Sequence, residues 1–351
     1  MKKFKYLLLI FPLFLLFGFI NKPALDSIID KNSLSKTAII SVSIREAETG
    51  NIIYERHADL LLHPASTLKA FTTPVILDKL GPNYEVKTSL YRHNNLTYLK
   101  LCGDPLLTSR KLAELFKGVT INGALIIDDT AIDTIPWGTG WMWDDESNPY
   151  MPKFSAYNLD NNLIKNVPVK DPEKYLISRL SFKGKTKKGT LPPNAILIKE
   201  VSHGLVDEIS HINKNSNNLA AETLFKLATD GTTKGGLKAF DEFYTKLGAD
   251  PSQLFIVDAS GVSHNDLITT NWMTLALSKL YNWKHFDVYR NTLKTKPNMW
   301  FKTGTNAGMS GKTGYLKSDS GKMYAFAILI QNYKGGSAPA KELEDLILSE
   351  L

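Results

Sequence analysis

The sequence has little cysteine and no strong excess of charge of either sign. Cys102 is the single cysteine among 351 residues, so the chain cannot form an intramolecular disulfide, and a small disulfide-stapled scaffold is excluded. The formal net charge is +7, and it falls to +4 without the three lysines at positions 2, 3 and 5. That charge is too small for a nucleic-acid reader, so we expect no nucleic-acid partner. With 43% hydrophobic residues, the chain is not disordered and can bury one large core or two smaller ones.

The sequence also lacks an N-terminal hydrophobic run long enough to span a bilayer. The uncharged run Tyr6–Ile20 has 15 residues, whereas a transmembrane helix needs roughly 20. Three lysines precede this run, which is typical of an export signal. Residues 21–24 do not show the small-residue pattern of a cleavage site, so a retained anchor is the alternative. We therefore assign residues 1–22 to a signal peptide or N-terminal anchor. We expect an exported protein, periplasmic or associated with the cell envelope, whose membrane contact is confined to this segment.

Two common ligand-binding patterns are missing. The seven histidines include no pair at positions i and i+4, so we expect no metal site. The run Gly311-Lys312-Thr313 is not a phosphate-binding loop, because that pattern requires glycine at position 306, where this chain has Asn306. We therefore expect no cofactor.

What is present is a pattern of strands from both ends of the chain around helical segments. Residues 38–45 and 52–56 flank turn residues and predict a β-hairpin. A helix is predicted over 65–80, where Gly81-Pro82 ends it. Three further strands are predicted over 299–303, 309–316 and 323–331. The segment between carries short strands and turns, so we expect a main domain formed by residues 23–85 and 206–351, with an inserted smaller, mainly-β domain over 86–205.

The first chemical feature is a serine and a lysine three residues apart. On the predicted helix, Ser66 and Lys69 share one face, with about 5 to 6 Å between their Cβ atoms. Lysine can remove the proton of a serine only if its pKa, ordinarily near 10.4, is lowered. A second cation within about 5 Å lowers it by about two units, so we expect a second lysine nearby. The pair alone is weak evidence, because Ser33 and Lys36 have the same spacing.

Two motifs later in the sequence strengthen the interpretation of Ser66 and Lys69 as a reactive pair. Ser216-Asn217-Asn218 precedes an apolar helix, a place where serine and asparagine are also common as helix caps. Lys302-Thr303-Gly304-Thr305 lies on a predicted strand and supplies the second lysine. The three features together, in this order, are specific.

With this set the sequence resembles the penicillin-recognising serine D,D-peptidases, namely the class C low-molecular-mass penicillin-binding proteins with carboxypeptidase and endopeptidase activity. The resemblance extends over nearly all of the exported chain and includes Leu80–Tyr84, Gly103-Asp104-Pro105, Gly140–Asp145, Asp258–Ser263 and the run from Gly314 to Ala327. It implies an α/β fold of the β-lactamase/transpeptidase type, an antiparallel sheet flanked by helices. It also implies peptidoglycan peptides as substrates and β-lactam antibiotics as covalent inhibitors.

The resemblance further implies roles for individual residues. Ser66 would attack the carbonyl between two D-alanines, Lys69 would accept its proton, and Ser216 would relay a proton to the leaving amine. Asn218 would hold the substrate amide and orient Lys69, and Lys302 would be the second cation. The residues expected to bind substrate are Thr303 and Thr305 at the terminal carboxylate, Gly304 as space for the peptide along the strand edge, and Asp145 at an amino group of the peptide side chain. The backbone amides of Ser66 and Thr305 would form the oxyanion hole.

A second Lys-Thr-Gly triplet, at Lys312, competes with the one at Lys302. Substrate must add to an exposed strand edge, whereas the strand over 309–316 should be paired on both sides. We therefore predict that Lys302 is the functional lysine.

Two other readings of the sequence stay open. One is a β-lactamase or esterase of the same fold, although position 216 is serine and no Glu-Xaa-Xaa-Leu-Asn run is present. The other is a non-catalytic penicillin-binding sensor module. The sequence departs from the family pattern at Asn217, where aspartate is usual, and at His264, where arginine is frequent, so the side-chain specificity is open.

Overall fold

The computed structural model describes residues 22–182 and 184–351. The predicted signal segment therefore lies, except for Lys22, outside the described residues. In the part of the chain that is described, no helix combines the length and the apolar character that crossing a membrane requires.

The described elements alternate between strands and helices. In chain order the strands are β1 (Ile39–Glu46), β2 (Ile52–Arg56), β3 (Glu85–His93), β4 (Leu96–Lys100), β5 (Leu125–Asp128), β6 (Leu163–Ile164), β7 (Val167–Pro168), β8 (Thr186–Lys188), β9 (Ile196–Gly204), β10 (Lys294–Lys296), β11 (Met299–Asn306), β12 (Met309–Lys317) and β13 (Met323–Gln331). The helices are α1 (Lys22–Lys31), α2 (Lys69–Leu80), α3 (Ser109–Phe116), α4 (Pro172–Arg179), α5 (Leu205–Asn215), α6 (Asn218–Leu227), α7 (Thr233–Leu247), α8 (Thr270–Tyr281), α9 (Phe286–Thr292) and α10 (Ala338–Leu348).

The main sheet has six strands in the order β10-β11-β12-β13-β1-β2, and all its pairs are antiparallel. It joins the N-terminal hairpin to the C-terminal strands, as predicted, because all of β1 pairs with residues 324–331 of β13. The predicted antiparallel sheet flanked by helices is thus confirmed.

The sheet is covered on both faces, which explains why β13 is a continuous apolar run. Successive side chains point to opposite faces. Phe326, Ile328 and Ile330 belong to a core with residues of α1 and α10, whereas Ala325 and Ala327 belong to the larger core with residues of α8. The strand interior therefore carries no exposed face.

A second sheet has the order β8-β5-β4-β3-β9, and its strands fall between Glu85 and Gly204. The inserted domain predicted over 86–205 contains nearly all of these strand residues, and its limits stay a prediction. The segment is less purely β than the sequence indicated, because α3 and α4 pack on the sheet through Leu112, Leu115 and Leu176. Two of the strand pairs, β4 with β5 and β5 with β8, are parallel.

Helix α2 lies at the centre of the larger core and carries the first chemical motif. It is buried from Lys69 to Leu77 and is preceded by a short 3-10 turn, Ala65–Leu68. Two tyrosines fix its first turn: Tyr244 donates to the carbonyl of Phe71, and Tyr289 donates to the carbonyl of Ala70, each at 2.8 Å. The predicted helix over 65–80 is therefore present, although its first turn is 3-10.

Candidate active site

The serine and lysine of the first motif lie on one face of adjoining helical turns. Ser66 is in the 3-10 turn, and Lys69 is the first residue of α2 and fully buried. The Lys69 Nζ atom lies 2.9 Å from Ser66 Oγ, 2.6 Å from Asn218 Oδ1 and 2.6 Å from the carbonyl oxygen of Ser260. A neutral amine has two protons for the amide and carbonyl oxygens, and its lone pair then faces the serine hydroxyl. The contacts therefore suit Lys69 as a base toward Ser66.

The pKa of Lys69 is lowered to about 7, and burial of the ammonium group is the largest cause. The nearby carboxyl groups of Asp258, Glu222 and Asp266 act in the opposite direction and raise it. The sequence argument required a second lysine for this shift. In the structure, the main cause of the lowered pKa of Lys69 is instead the loss of solvation at this fully buried position.

Two buried acids hold the loop around Ser260, whose carbonyl oxygen contacts Lys69. Glu222 Oε1 accepts hydrogen bonds from the backbone nitrogens of Ala259 and Ser260, at 3.0 and 2.9 Å. Asp258 Oδ1 accepts from the backbone nitrogens of Ser260 and Gly261, at 3.0 and 2.7 Å. These bonds place the Ser260 carbonyl against Lys69. The sequence argument gave neither acid a role, because the contacts that hold this loop are to backbone groups, which side-chain patterns do not reveal.

The second motif joins the end of α5 to the start of α6. Ser216 has a left-handed backbone, with φ of 57°, and its Oγ accepts a hydrogen bond from Lys302 Nζ at 2.9 Å. Asn218 donates from Nδ2 to the carbonyl of Tyr150 at 2.7 Å. Asn217 instead caps α6, because its Oδ1 accepts from the backbone nitrogen of Ala220 at 2.7 Å. The departure from the family pattern at position 217 therefore does not touch Ser66, Lys69 or Ser216.

The third motif brings a second lysine to the same place. Lys302 is fully buried on β11, and its Nζ also donates to the carbonyl of Thr303 at 2.6 Å. Its pKa is held well below the ordinary value by burial and, next in size, by the positive charge of Lys69. Two like charges in one buried site disfavour each other, so the pair resists holding both protons.

The predicted strand order at the third motif is confirmed. Strand β12 lies between β11 and β13, whereas β10 pairs with β11 only over residues 299–301. Lys312 is therefore on a strand paired on both sides. Its Nζ lies 2.6 Å from Asp345 Oδ1 and 3.4 Å from Glu344 Oε2 on α10.

The structure shows a physical reason for glycine at position 304 in addition to the predicted space for a peptide. A Cβ at this position would lie 2.9 Å from the carbonyl oxygen of Pro64, 3.0 Å from the nitrogen of Thr67 and 3.1 Å from the nitrogen of Ser66. These are backbone atoms, so a side chain at position 304 would force the chain itself to shift. Glycine at 304 therefore allows β11 to pack against the turn that carries Ser66, which is a requirement separate from space for a peptide.

A cavity of about 400 Å³ opens above these groups. Its lining contains six of the predicted residues: Ser66, Asp145, Ser216, Asn218, Thr303 and Thr305. It also contains residues to which the sequence argument gave no site role: Ala65, Asn148, Tyr150, Met151, Gly261, Val262 and Asn306. Lys69 and Lys302 lie beneath the lining and contact it through Ser66 and Ser216.

Asp145 and His264 stand at the two positions that the sequence analysis linked to recognition of the peptide side chain. Asp145 lies on a 3-10 turn, Trp143–Ser147, and its carboxylate makes no ion pair within residues 22–182 and 184–351. His264 stacks on His63, with ring centroids 5.2 Å apart, and its Nε2 lies 3.1 Å from Nδ2 of Asn306. Asp145 therefore lines the cavity, whereas His264 is connected to the lining through Asn306.

A serine hydroxyl against a buried lysine, beside a strand edge of a helix-covered antiparallel sheet, defines a serine acyl-transfer enzyme of the penicillin-recognising fold. The model of the D-Ala-D-Ala carboxypeptidase 3 (S13) family matches residues 21–178 and 174–348. The chain belongs to this family of serine peptidases. The resemblance to class C low-molecular-mass penicillin-binding proteins is thereby confirmed.

Individual relatives are distant but cover most of the chain. The D-alanyl-D-alanine carboxypeptidase DacB of Haemophilus influenzae is 23% identical, over 83% of this chain and 85% of its own. A D-alanyl-D-alanine carboxypeptidase of an Actinomadura species is 23% identical, over 90% and 81%. The crystal structure of penicillin binding protein 4 from Haemophilus influenzae superposes with a TM-score of 0.77 at 20% identity, covering 93% of this chain and 98% of that chain. That protein has also been crystallised in complex with a β-lactam.

Proposed function

We propose that this chain removes the terminal D-alanine from peptidoglycan stem peptides through an acyl-enzyme on Ser66. The observation that carries the proposal is the 2.9 Å contact between Lys69 Nζ and Ser66 Oγ, made by an amine whose pKa burial lowers to about 7. An amine with that pKa is largely neutral just above neutral pH and can accept a proton. Strongly shifted pKa values cluster at functional sites, and a base within hydrogen-bond distance of a hydroxyl is the arrangement that activates a serine nucleophile.

Acylation moves one proton and exchanges one bond. Ser66 Oγ forms a bond to the carbonyl carbon between the two D-alanines as its proton passes to Lys69. Ser216 gives its hydroxyl proton to the leaving nitrogen and takes one from Lys302 Nζ, to which it is hydrogen-bonded, so the two lysines together return to their starting proton count. The carbon–nitrogen bond breaks and D-alanine leaves. Water then attacks the ester carbonyl, its proton passes by way of Lys69 to Ser66 Oγ, and the carbon–Oγ bond breaks to release the shortened peptide and restore the Ser66 hydroxyl.

The negative charge that develops on the carbonyl oxygen during acylation must be stabilised by hydrogen-bond donors. The backbone amides of Ser66 and Thr305 are our proposed oxyanion hole, and the close packing of Gly304 on the Ser66 turn supports their proximity. Donors of this kind contribute about 3 to 4 kcal/mol each in comparable enzymes.

Substrate recognition follows from the lining. We assign the Thr303 and Thr305 hydroxyls to the terminal carboxylate, close to the positive charge that Lys69 and Lys302 share. Asn218 is assigned to the substrate amide, and Asp145 to an amino group of the peptide side chain. β-Lactams would acylate the same Ser66. An exported location fits such a substrate and the predicted N-terminal signal.

The direct test is release of D-alanine from a synthetic pentapeptide ending in D-Ala-D-Ala, combined with labelling by a fluorescent penicillin. Ser66→Ala should abolish both. Ser33→Ala is the matched control, because Ser33 has the same spacing to a lysine but is exposed. D-alanine release by the Ser66→Ala protein at the wild-type rate contradicts the proposal.

The same experiment separates the alternatives. Rapid turnover of the penicillin indicates a β-lactamase, and long-lived acylation without D-alanine release indicates a sensor module. A cross-linked dimer of muropeptides, offered in parallel, shows whether the enzyme is also an endopeptidase.

A further inference from the structure

Three side chains with metal-ligating atoms meet away from the active-site cavity. Asp104 follows β4, His203 is on β9, and Glu208 is in the first turn of α5. One ligand atom from each lies within 4.8 Å of the others. The three residues come from separate elements, so their spacing along the sequence gave no signal. The expectation of no metal site rested only on the absence of histidine pairs.

The two carboxyl groups of the cluster are buried, His203 is partly exposed, and the cluster is incompletely paired. His203 Nδ1 lies 2.8 Å from Asp104 Oδ2, and Asp104 Oδ1 accepts a hydrogen bond from the backbone nitrogen of Leu106 at 2.9 Å. The side chain of Glu208 is fully buried, and its carboxyl group faces the Asp104 carboxyl group and the backbone nitrogen of Leu106. Among the described residues, neither oxygen of Glu208 accepts a hydrogen bond of regular geometry. A buried carboxyl group without a donor is costly, and here it faces a second buried carboxylate.

We propose that Asp104, His203 and Glu208 bind a divalent transition metal ion of the zinc type. A cation between the three side chains would satisfy the unpaired oxygens of Glu208 and offset the two carboxylates together. The mixed set of one imidazole and two carboxylates suits zinc, whereas calcium and magnesium favour six or more oxygen ligands. Three protein ligands leave a fourth position for water.

The position of the cluster indicates a structural role. The ion would join the loop after β4 and the edge strand β9 to the first turn of α5. The other end of α5 leads directly into Ser216. A metal ion here would hold this helix against the second sheet at a distance from Ser66. The proposal does not depend on the reaction proposed above.

The test is calorimetric titration of the chelator-treated full chain with zinc chloride, together with its melting temperature. We expect one equivalent to bind and the melting temperature to rise. Glu208→Gln and His203→Gln should each weaken binding at least about tenfold, which is at the lower end of what loss of supporting groups costs at metal sites. The matched control His93→Gln removes a histidine at the far end of β3 and should bind zinc as the wild type does.

Two results would overturn the proposal: no saturable binding by the wild-type chain, or equal affinity in the wild type and in both cluster variants. Should Glu208→Gln fail to fold, His203→Gln decides alone, because its ring is partly exposed and its loss leaves no cavity in a core. Neither residue belongs to the proposed catalytic machinery. A variant that loses zinc binding but still releases D-alanine therefore shows that the zinc site and the proposed reaction can be tested independently.

Discussion

The two Lys-Thr-Gly triplets have the same sequence on neighbouring strands, yet their lysines lie in opposite electrostatic surroundings. Lys312 is paired with the carboxylates of Asp345 and Glu344. Lys302 is hydrogen-bonded to a serine hydroxyl and a backbone carbonyl, and the charges that act on it are the positive charges of Lys69 and Lys294. A buried cation with acidic partners stabilises packing, whereas a buried cation beside another cation is poised to give up a proton. The sequence of the triplet does not decide between these roles; the neighbouring strand does.

The largest expected effect is on the rate of penicillin labelling, when the lysine of each triplet is replaced in turn by alanine. Lys302→Ala removes a group bonded to the proton relay and should lower the rate of labelling by fluorescent penicillin about 10²- to 10⁴-fold, the usual range for loss of a proton-transfer group. Lys312→Ala should leave the labelling rate per folded molecule unchanged.

The folded fraction of each variant is measured by circular dichroism, because Lys312→Ala leaves Glu344 buried without its cation and should lower stability. Normal labelling of the Lys302 variant combined with loss of labelling in the Lys312 variant would reverse the assignment of the two strands.

The second prediction concerns pH. The pKa of Lys69 is about 7, below the ordinary value, so the amine is protonated and inactive as a base at lower pH and neutral at higher pH. The acylation rate should therefore rise from pH 5 to pH 8 with an apparent pKa near 7, and the rate at pH 5 should be about one hundredth of the plateau, since each pH unit below the pKa costs about tenfold.

The measurement is the second-order rate constant for acylation by a penicillin whose own charge is constant over this range. The apparent pKa belongs to the coupled pair of lysines and not to one residue alone. A rate that does not change between pH 5 and pH 8 would show that neutral Lys69 is not the base.

Much of the fold followed from local patterns in the sequence. The N-terminal hairpin, the helix over 65–80 and the last three strands lie where alternation, apolar runs and turn residues predict them. Helix α5 is not among the predicted elements, although Leu205, Ile209 and Ile212 have helical spacing and are all buried.

The site was only partly predictable, for a physical reason. The side chains that we propose to react, such as Ser66 and Lys302, belong to recognisable motifs. The carbonyls of Ser260 and Tyr150, which contact Lys69 and Asn218, are backbone groups that any residue could supply. Burial as the main cause of the low pKa of Lys69 is likewise a property of the packed structure. Glu222 has no motif of its own and acts by holding the loop around Ser260.

The third and smallest expected effect compares two aspartates. Asp345 is paired with Lys312, whereas Asp145 lines the cavity without an ion-pair partner among the described residues. An unpaired carboxylate in a binding cavity is suited to a cationic group of the substrate. Asp145→Asn should therefore lower kcat/KM about tenfold for a pentapeptide with a free side-chain amine, which corresponds to about 1.4 kcal/mol of lost binding.

The matched substrate is the same peptide with the amine acetylated. Because acetylation removes the positive charge that Asp145 would bind, wild type and Asp145→Asn should hydrolyse it at similar rates. The loss should also appear in KM more than in kcat, since the amine lies away from the bond that breaks. If the variant is equally impaired on both peptides, Asp145 supports the turn from Trp143 to Ser147 and does not recognise the amine.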